Sequence, residues 1–147
     1  MALYNFLYLS SDDSATYYPN NNPADFHVKI LNPMIFRAAR LCSLVSFQYH
    51  DSFAQENGLQ SSYLNFYVCS NICQHSFVSD STLPVLNRIK VDITNDAGVK
   101  EVTIANPLYV PIVEYFTDDI HIYIKGDNES NISFLKGPTK LTLQLRY

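Results

Sequence analysis

The feature that most restricts the fold of this chain is a strict alternation of apolar and polar residues. Ile120, Ile122 and Ile124 alternate with a histidine, a tyrosine and a lysine over 120–125, and three leucines alternate in the same way over 141–145. Residues two apart lie on the same face of a β-strand. Each run therefore predicts a strand with one buried and one exposed face.

The same period of two recurs along most of the chain. It predicts strands at 3–9, 25–30, 41–49, 63–70, 76–80, 85–93, 99–105, 120–125 and 141–145. The sequence Asn-Asp-Ala-Gly at 95–98 has the chemistry of a tight turn, so the strands on either side of it are predicted to pair as a hairpin. Only 33–41 and 52–56 are candidates for a turn or two of helix, because no longer window repeats at three and four residues.

One predicted strand, 41–49, carries apolar residues in both phases. Leu41 and Val45 are in phase with the aromatic residues at 47 and 49, whereas Cys42 and Leu44 fall on the opposite face, which is therefore expected to be partly buried as well. Eight or more short strands separated by turns predict an all-β chain. We predict a single jelly-roll β-sandwich of about eight antiparallel strands in two four-stranded sheets, as one domain over 1–147. Periodicity alone leaves an immunoglobulin-like topology open.

Composition excludes several classes of protein. The chain is 47% hydrophobic and 16% charged, which is not the composition of a disordered segment. Its net charge is -4 and its ten basic residues are scattered, so we expect no direct contact with nucleic acid and no genome packaging by a basic N-terminal arm. No apolar run approaches the roughly 20 residues of a membrane span. The N-terminus lacks the basic region of a secretory signal, so we expect the chain not to be secreted.

The three cysteines suggest a metal site only superficially. Cys69, Cys73 and His75 lie within seven residues, but their spacing is not that of paired zinc ligands and no second pair follows. An odd number of cysteines argues against a disulfide framework and for a reducing compartment. We predict thiols buried in strands.

Histidines give no clear catalytic pattern. His27 and His121 occupy the polar phase of their strands, where solvated or cross-strand side chains are expected. His50 and Asp51 are adjacent, so their side chains point to opposite faces of a strand. With neither a nucleophile elbow nor a glycine-rich loop in the sequence, we predict no catalytic residue, no cofactor and no bound metal, and therefore no enzyme.

Acidic residues bracket the strand at 120–125. Asp118 and Asp119 precede it and Asp127 follows it. A strand of this length spans about 20 Å, so Asp118 and Asp127 are predicted to lie at its two ends and to terminate it in turns. A calcium site formed by loops that meet at one end of the sandwich is the alternative.

The order of several short segments resembles a known family. These segments are Tyr-Pro-Asn-Asn at 18–21, Leu-Pro-Val-Leu at 83–86, Asn-Pro-Leu-Tyr-Val-Pro at 106–111, and Ile-His-Ile-Tyr-Ile-Lys-Gly-Asp at 120–127. In this order, and over nearly the whole chain, the sequence resembles the penton (minor capsid) proteins of Polinton/Maverick elements and adintoviruses. Two differences stand against the resemblance: residues 40–44 replace a Trp-Glu-Val-Gly motif, and the connection over 50–61 is short.

The resemblance implies a function in assembly. It implies a single jelly roll that forms a homopentamer at the vertices of an icosahedral virion, beside a double jelly-roll major capsid protein, and that is made in the host cell. Within the aromatic segment 106–116 we predict Tyr109, Pro111 and Tyr115 as oligomer interface, with covering of the core as the alternative for this segment.

Two other classes of function remain open at this point. A small β-sandwich that binds a glycan or calcium would use the acids and tyrosines of the loops. A cupin-like metalloenzyme would need a cluster of histidines with a carboxylate. A domesticated host copy of the capsid protein is a variant of the first hypothesis.

Overall fold

Two antiparallel β-sheets form the fold. The computed structural model describes residues 3–32, 36–55, 63–92, 98–113 and 118–147. The strands are β1 (Tyr4–Ser10), β2 (Asp25–Lys29), β3 (Leu41–His50), β4 (Phe53–Gln55), β5 (Tyr63–Ser70), β6 (Ser76–Val78), β7 (Ser81–Leu83), β8 (Val85–Asp92), β9 (Val99–Thr103), β10 (Val110–Pro111), β11 (Asp119–Lys125), β12 (Ile132–Phe134) and β13 (Lys140–Arg146). One turn of 3-10 helix, Asp127–Glu129, follows β11.

The strand order is that of a jelly roll. One sheet has the order β1-β13-β3, and both β9 and β10 pair with the remaining edge of β3, at different points along it. The other sheet has the order β2-β11-β5-β8, and we call it the four-stranded sheet, because the first sheet contains five strands. Each sheet is therefore four positions wide, and the chain crosses repeatedly between the two sheets, as in a double Greek key. The predicted all-β jelly-roll sandwich is confirmed.

The core lies between the inward faces of the two sheets. The isoleucines of β11 and the leucines of β13 that set the alternation are buried: Ile120, Ile122, Ile124, Leu141, Leu143 and Leu145. At one side of the core, Phe66 lies edge-to-face against Tyr49, Phe53 and Phe134, with ring centroids 5.2–5.6 Å apart. Edge-to-face contacts place the positive ring edge against the negative ring face, so this cluster adds directional energy to burial.

The predicted phase of β3 is wrong in its first half. Cys42 and Leu44 are fully buried and Leu41 is only half-buried, although Phe47 and Tyr49 are buried as predicted. The register against β13 passes from Leu44 directly to Ser46, which leaves Val45 as the extra residue of a β-bulge. A bulge inserts one residue and so reverses the phase of the alternation. Both halves of β3 thereby face the core.

The predicted hairpin between 85–93 and 99–105 is also wrong. β8 pairs with β5 in one sheet, whereas β9 pairs with β3 in the other. The turn at 95–98 lies outside the described residues except for Gly98. Turn chemistry is a local signal, and the partner of each strand is decided by which sheet can bury its apolar face.

Four short strands, β4, β7, β10 and β12, were not predicted, and they form edges and covers. Phe53–Gln55, within the segment taken as a candidate helical turn, is instead β4 and pairs with β12. β6 and β7 form a separate ribbon. Leu83 and Val78 of this ribbon contribute to a small second cluster with Cys69 on the outer face of the four-stranded sheet. The ribbon therefore shields part of that face.

Removal of the Phe66 ring should strongly lower the stability of the fold. Phe66→Ala deletes a fully buried side chain and its three edge-to-face contacts, so we expect a loss of about 3–5 kcal/mol in the free energy of unfolding. Phe77→Ala is the matched control, because Phe77 is 88% exposed on β6 and its removal should change stability by less than about 0.5 kcal/mol. Urea unfolding followed by circular dichroism measures both. Equal losses for the two variants would contradict the position of the core.

Candidate functional site

The outer face of the four-stranded sheet carries a pair of histidines side by side. His27 on β2 lies directly opposite His121 on β11. The backbone of His27 bonds the side chain of Asn21, and the backbone N–H of His121 donates to Asn71 Oδ1 at 3.0 Å. Because neither residue uses its backbone to bond the other, this is the non-hydrogen-bonded type of antiparallel pair, in which side chains approach most closely.

The two imidazole rings stack in the middle of an aromatic row. Their centroids are 4.1 Å apart and their planes differ by 3°. Tyr18 stacks on the other side of His27 at 5.2 Å, and Tyr123 lies 4.8 Å from His121. The prediction that these histidines are cross-strand side chains is confirmed.

Each histidine is held by a carboxylate from the opposite strand. His27 Nδ1 lies 3.0 and 3.1 Å from the two carboxylate oxygens of Asp119, and His121 Nε2 lies 2.6 Å from Asp25 Oδ1. Asp25 was not predicted as a partner of His121. Its signal was its position two residues before His27, which places it on the same face of β2.

A lysine and an acid extend this polar row. Lys29 Nζ donates to Asp118 Oδ2 at 2.8 Å. The hydrogen bond and charge of Lys29 lower the pKa of the Asp118 carboxyl below its usual value. Because the Asp118 side chain is exposed and that of Lys29 is partly exposed, solvent screens this pair and it adds little to stability.

The acids that bracket β11 are separate, as predicted. Asp118 and Asp119 interact with β2 at one end, whereas Asp127 at the other end accepts from the backbone and side-chain nitrogens of Asn65 at 3.3 and 3.1 Å. Their described contacts do not bring these three acids together. Asp13 accepts from the backbone N–H of Ser10 at 3.0 Å, which is the turn role expected of such residues.

The cysteine thiols are free and buried, as predicted. Cys73 Sγ donates to the carbonyl oxygen of Pro84 at 3.1 Å, and Cys69 Sγ donates to that of Tyr67 at 3.5 Å. His75 is exposed, with Nδ1 3.4 Å from Thr82 Oγ1, so it does not join the thiols. Burial raises the pKa of Cys69 to about 12 and that of Cys73 to about 11, and it also raises the pKa of Cys42.

The outer face of the other sheet is apolar along its edge. On β1, Tyr4, Phe6 and Tyr8 are 55%, 43% and 75% exposed, while Leu9 is buried in the core. The period of two thus places three aromatic rings on the outside of a strand that pairs with β13 on one side only, within the described residues. We call Leu3, Tyr4, Phe6 and Tyr8 the β1 flank.

The segment around β10 lies at the opposite edge of the same sheet. Leu108, Pro111 and Val113 are exposed, whereas Val110 and Ile112 are buried. We call Leu108, Pro111 and Val113 the β10 flank. Over 110–113 the segment thus covers the core with one phase and presents the other phase to solvent, and Leu108 is exposed before this alternation begins.

Tyr109 is held within its own chain. Its hydroxyl donates to Gln144 Oε1 at 2.6 Å, and the guanidinium carbon of Arg146 lies 3.9 Å from the centre of its ring. Both partners belong to β13. Of the three predicted interface residues, Tyr109 is therefore half-buried and fixed, Pro111 is exposed, and Tyr115 lies outside the described residues.

Comparisons with known proteins show a likeness in fold. No protein-family model matches the sequence, and no curated protein matches it. Among solved structures, the crystal structure of the SeMet-labelled penton protein of mavirus is similar, with a TM-score of 0.65 at 10% identity, over 97% of this chain and 99% of that chain. At this identity the likeness shows the fold, a jelly roll shared over the full length. No helix in the described part of the chain is long and apolar enough to cross a membrane.

The buried thiols should make stability fall at high pH. The pKa of Cys69 is raised on folding, so its contribution is complete below the pKa of an unfolded thiol, about 8.5, and is lost as pH rises toward about 12. We expect up to about 2 kcal/mol of this loss between pH 8.5 and 10, from the 1.36 kcal/mol that corresponds to each pKa unit. Urea unfolding of the parent and of Cys69→Ala at several pH values, with reductant present, gives the free energy of unfolding of each. The slope of this free energy against pH should be more negative for the parent. Identical slopes would contradict it.

Proposed function

We propose that this chain is a structural minor capsid protein of the penton type, from a virus or virus-derived element. It forms a homopentamer at icosahedral vertices and meets a major capsid protein there. It acts by association and has no catalytic activity. On the resemblance of its sequence we place it, as part of this proposal, in the Polinton/Maverick and adintovirus group, with the virion as its location.

The observation that carries the proposal is the pair of apolar flanks on one sheet. The β1 flank and the β10 flank lie at opposite edges, separated by β13 and β3. Tyr8 is 75% exposed and Leu108 is 55% exposed, so both flanks offer apolar area to a partner. Clusters of exposed aromatic and aliphatic side chains are typical of surfaces that bind protein.

Opposite flanks suit a closed ring. In a heterologous contact one flank of each subunit meets the other flank of the next, and the ring closes when the rotation between neighbours is a simple fraction of a turn. An isologous dimer would instead need one self-complementary patch. Tyr109 lies between residues of the β10 flank and is already held against Arg146 in the free subunit. A side chain that is ordered before binding loses little entropy in the contact, which favours binding through this segment.

The shared fold adds support from a second direction. The similar solved structure is a penton protein, and the likeness leaves almost no part of either chain uncovered. A jelly roll hosts many functions, so the fold alone does not carry the proposal. The flanks and the fold together favour assembly over the other classes.

A glycan-binding module is the second candidate. A cleft of about 390 Å³ lies beside β2, and it is lined by Tyr17, Tyr18, Pro19, Asn20, Asn21, Asn22, Asp25 and His27. Aromatic rings beside amides and a carboxylate are groups that can stack on a sugar ring and bond its hydroxyls. Saturable glycan binding by a monomer with no tendency to assemble would favour this candidate.

Assembly should depend on the β1 flank. We expect the parent to have about five times the mass of the 16.8 kDa chain in size-exclusion chromatography with light scattering. Phe6→Asp with Tyr8→Asp should give a folded monomer, because a charge buried in an apolar contact costs several kcal/mol. Phe77→Asp, on a still more exposed aromatic residue of β6, should assemble like the parent. A monomeric parent, or an assembling Phe6→Asp/Tyr8→Asp variant, would overturn the proposal.

Mixing two defective variants tests the head-to-tail arrangement. Leu108→Asp with Val113→Asp removes the β10 flank and should by itself also give a monomer. An equimolar mixture with Phe6→Asp/Tyr8→Asp retains one intact contact. It joins the unaltered β1 flank of the Leu108→Asp/Val113→Asp variant to the unaltered β10 flank of the other variant. We expect a 1:1 heterodimer and no ring by native mass spectrometry. A mixture that stays monomeric would refute contact between these two flanks.

A further inference from the structure

We propose that Asp25, His27 and His121 form a binding site for a divalent transition-metal ion of the zinc class. This goes beyond the proposed assembly and against the expectation from the sequence that no metal is bound. The site lies on the outer face of the four-stranded sheet, whereas both flanks belong to the other sheet. Metal binding and assembly can therefore be tested separately.

The donor atoms have the chemistry and closeness that such an ion requires. One ring nitrogen from each histidine and one carboxylate oxygen of Asp25 all lie within 4.8 Å of one another. Zinc binds nitrogen and oxygen at about 2.0–2.2 Å, so its ligands lie roughly 3.3 Å apart in a tetrahedron. Two imidazoles with a carboxylate suit zinc, copper, iron or nickel, and not the all-oxygen sites of calcium and magnesium.

Asp119 prepares His27 for this role. It takes the Nδ1 side of the ring with both of its carboxylate oxygens, at 3.0 and 3.1 Å. In the neutral ring the proton then sits on Nδ1 and the lone pair on Nε2 is available. A carboxylate behind a metal-binding histidine fixes the tautomer and raises the basicity of the ligand nitrogen.

The backbone beneath the site is fixed on both strands. The Asn21 side chain accepts from His27 N at 2.8 Å and donates to His27 O at 2.8 Å, so it acts as a further strand partner for this residue. The Asn71 side chain accepts from His121 N and donates to the carbonyl oxygen of Asp119, both at 3.0 Å. The two histidines are therefore held at the close spacing of their cross-strand pair, and only the side chains need to adjust.

Local charge and access also favour a cation. Three carboxylates, Asp25, Asp118 and Asp119, surround the pair, and Lys29 supplies one compensating charge through its bond to Asp118. Asp25 and His27 line the open cleft of about 390 Å³, which gives an entry path from solvent. Three protein ligands leave a coordination position for water.

Metal binding must change the stack of the two rings. The planes are within 3° of parallel, so the nitrogen lone pairs lie in parallel planes and do not converge. At least one imidazole must rotate to direct its nitrogen at a shared ion. The ion would also replace the proton between His121 Nε2 and Asp25 Oδ1, which are 2.6 Å apart and must separate by somewhat less than 1 Å.

Zinc titration calorimetry of the untagged protein at pH 7.5 tests the site. We expect one saturable site in the parent. His121→Gln should weaken zinc binding by at least about 100-fold, and Asp119→Asn by about 10- to 100-fold through the loss of its hold on His27. His75→Gln is the matched control, because His75 is exposed, its side chain contacts Thr82 and it is not one of the clustered ligands. The zinc affinity of this variant should equal that of the parent. The monomeric Phe6→Asp/Tyr8→Asp variant should also bind like the parent.

A measurement on the parent guards against variants that fail to fold. On zinc addition, the imidazole nitrogen and proton resonances of His27 and His121 should shift, while those of His50 and His75 stay unchanged. The absence of saturable binding would overturn the proposal. Equal affinity of the parent and a folded His121→Gln, or zinc-dependent shifts confined to His50 or His75, would also overturn it.

Discussion

Face-to-face packing of two apolar rows is the constraint on which the rest of the structure depends. The isoleucines of β11 lie in one sheet and the leucines of β13 in the other, and all six are buried. Burial of one such side chain contributes about 1.5–3 kcal/mol, whereas an exposed ion pair contributes about 0–1 kcal/mol. The core therefore decides the register. A slip of one residue would turn every isoleucine of β11 outward.

That register also decides what the outer faces present. Once Ile120 and Ile122 face inward, His121 must face outward, and pairing with β2 places it beside His27. The ion pairs of Asp25, Asp119 and Lys29 are too weak to select this register by themselves. They follow from it, and so substitutions among these outward residues should leave the register of the strands unchanged.

The positions of the long strands were predictable because the signal for them is local. Alternation over a few residues is visible in the sequence, and it located nearly all of the long strands within one or two residues at each end. The phase of β3 was not predictable, because Val45 becomes an extra residue only through its register against β13. The partners of β8 and β9 were missed for the same reason. Contacts between distant segments decide them, and turn chemistry carries no information about which sheet a strand will join.

The candidate site shows the same division between local and distant information. The positions of His27 and His121 on the polar phase of their strands followed from periodicity. Their contact required the pairing of β2 with β11, which are about ninety residues apart in the chain. Asp25 had a local signal, the spacing of two from His27, but that spacing gains meaning only when His121 is known to be opposite. Metal ligands that are dispersed over separate strands therefore escape motif searches, which depend on short spacings.

Two of the edge strands, β2 in one sheet and β1 in the other, are treated differently, and this contrast bears on the proposed function. Along β2, Asn21 bonds both backbone groups of His27, and Ser14 Oγ accepts from the backbone N–H of Lys29. Side chains thus occupy edge groups that would otherwise bind another strand, a common protection against unwanted pairing. Within the described residues, no side-chain hydrogen bond covers the backbone of 4–9 on β1 in this way, and three exposed aromatic rings lie beside it. An apolar, uncovered edge at β1, in a protein that covers the backbone of its edge strand β2, is what the proposed assembly through the β1 flank requires.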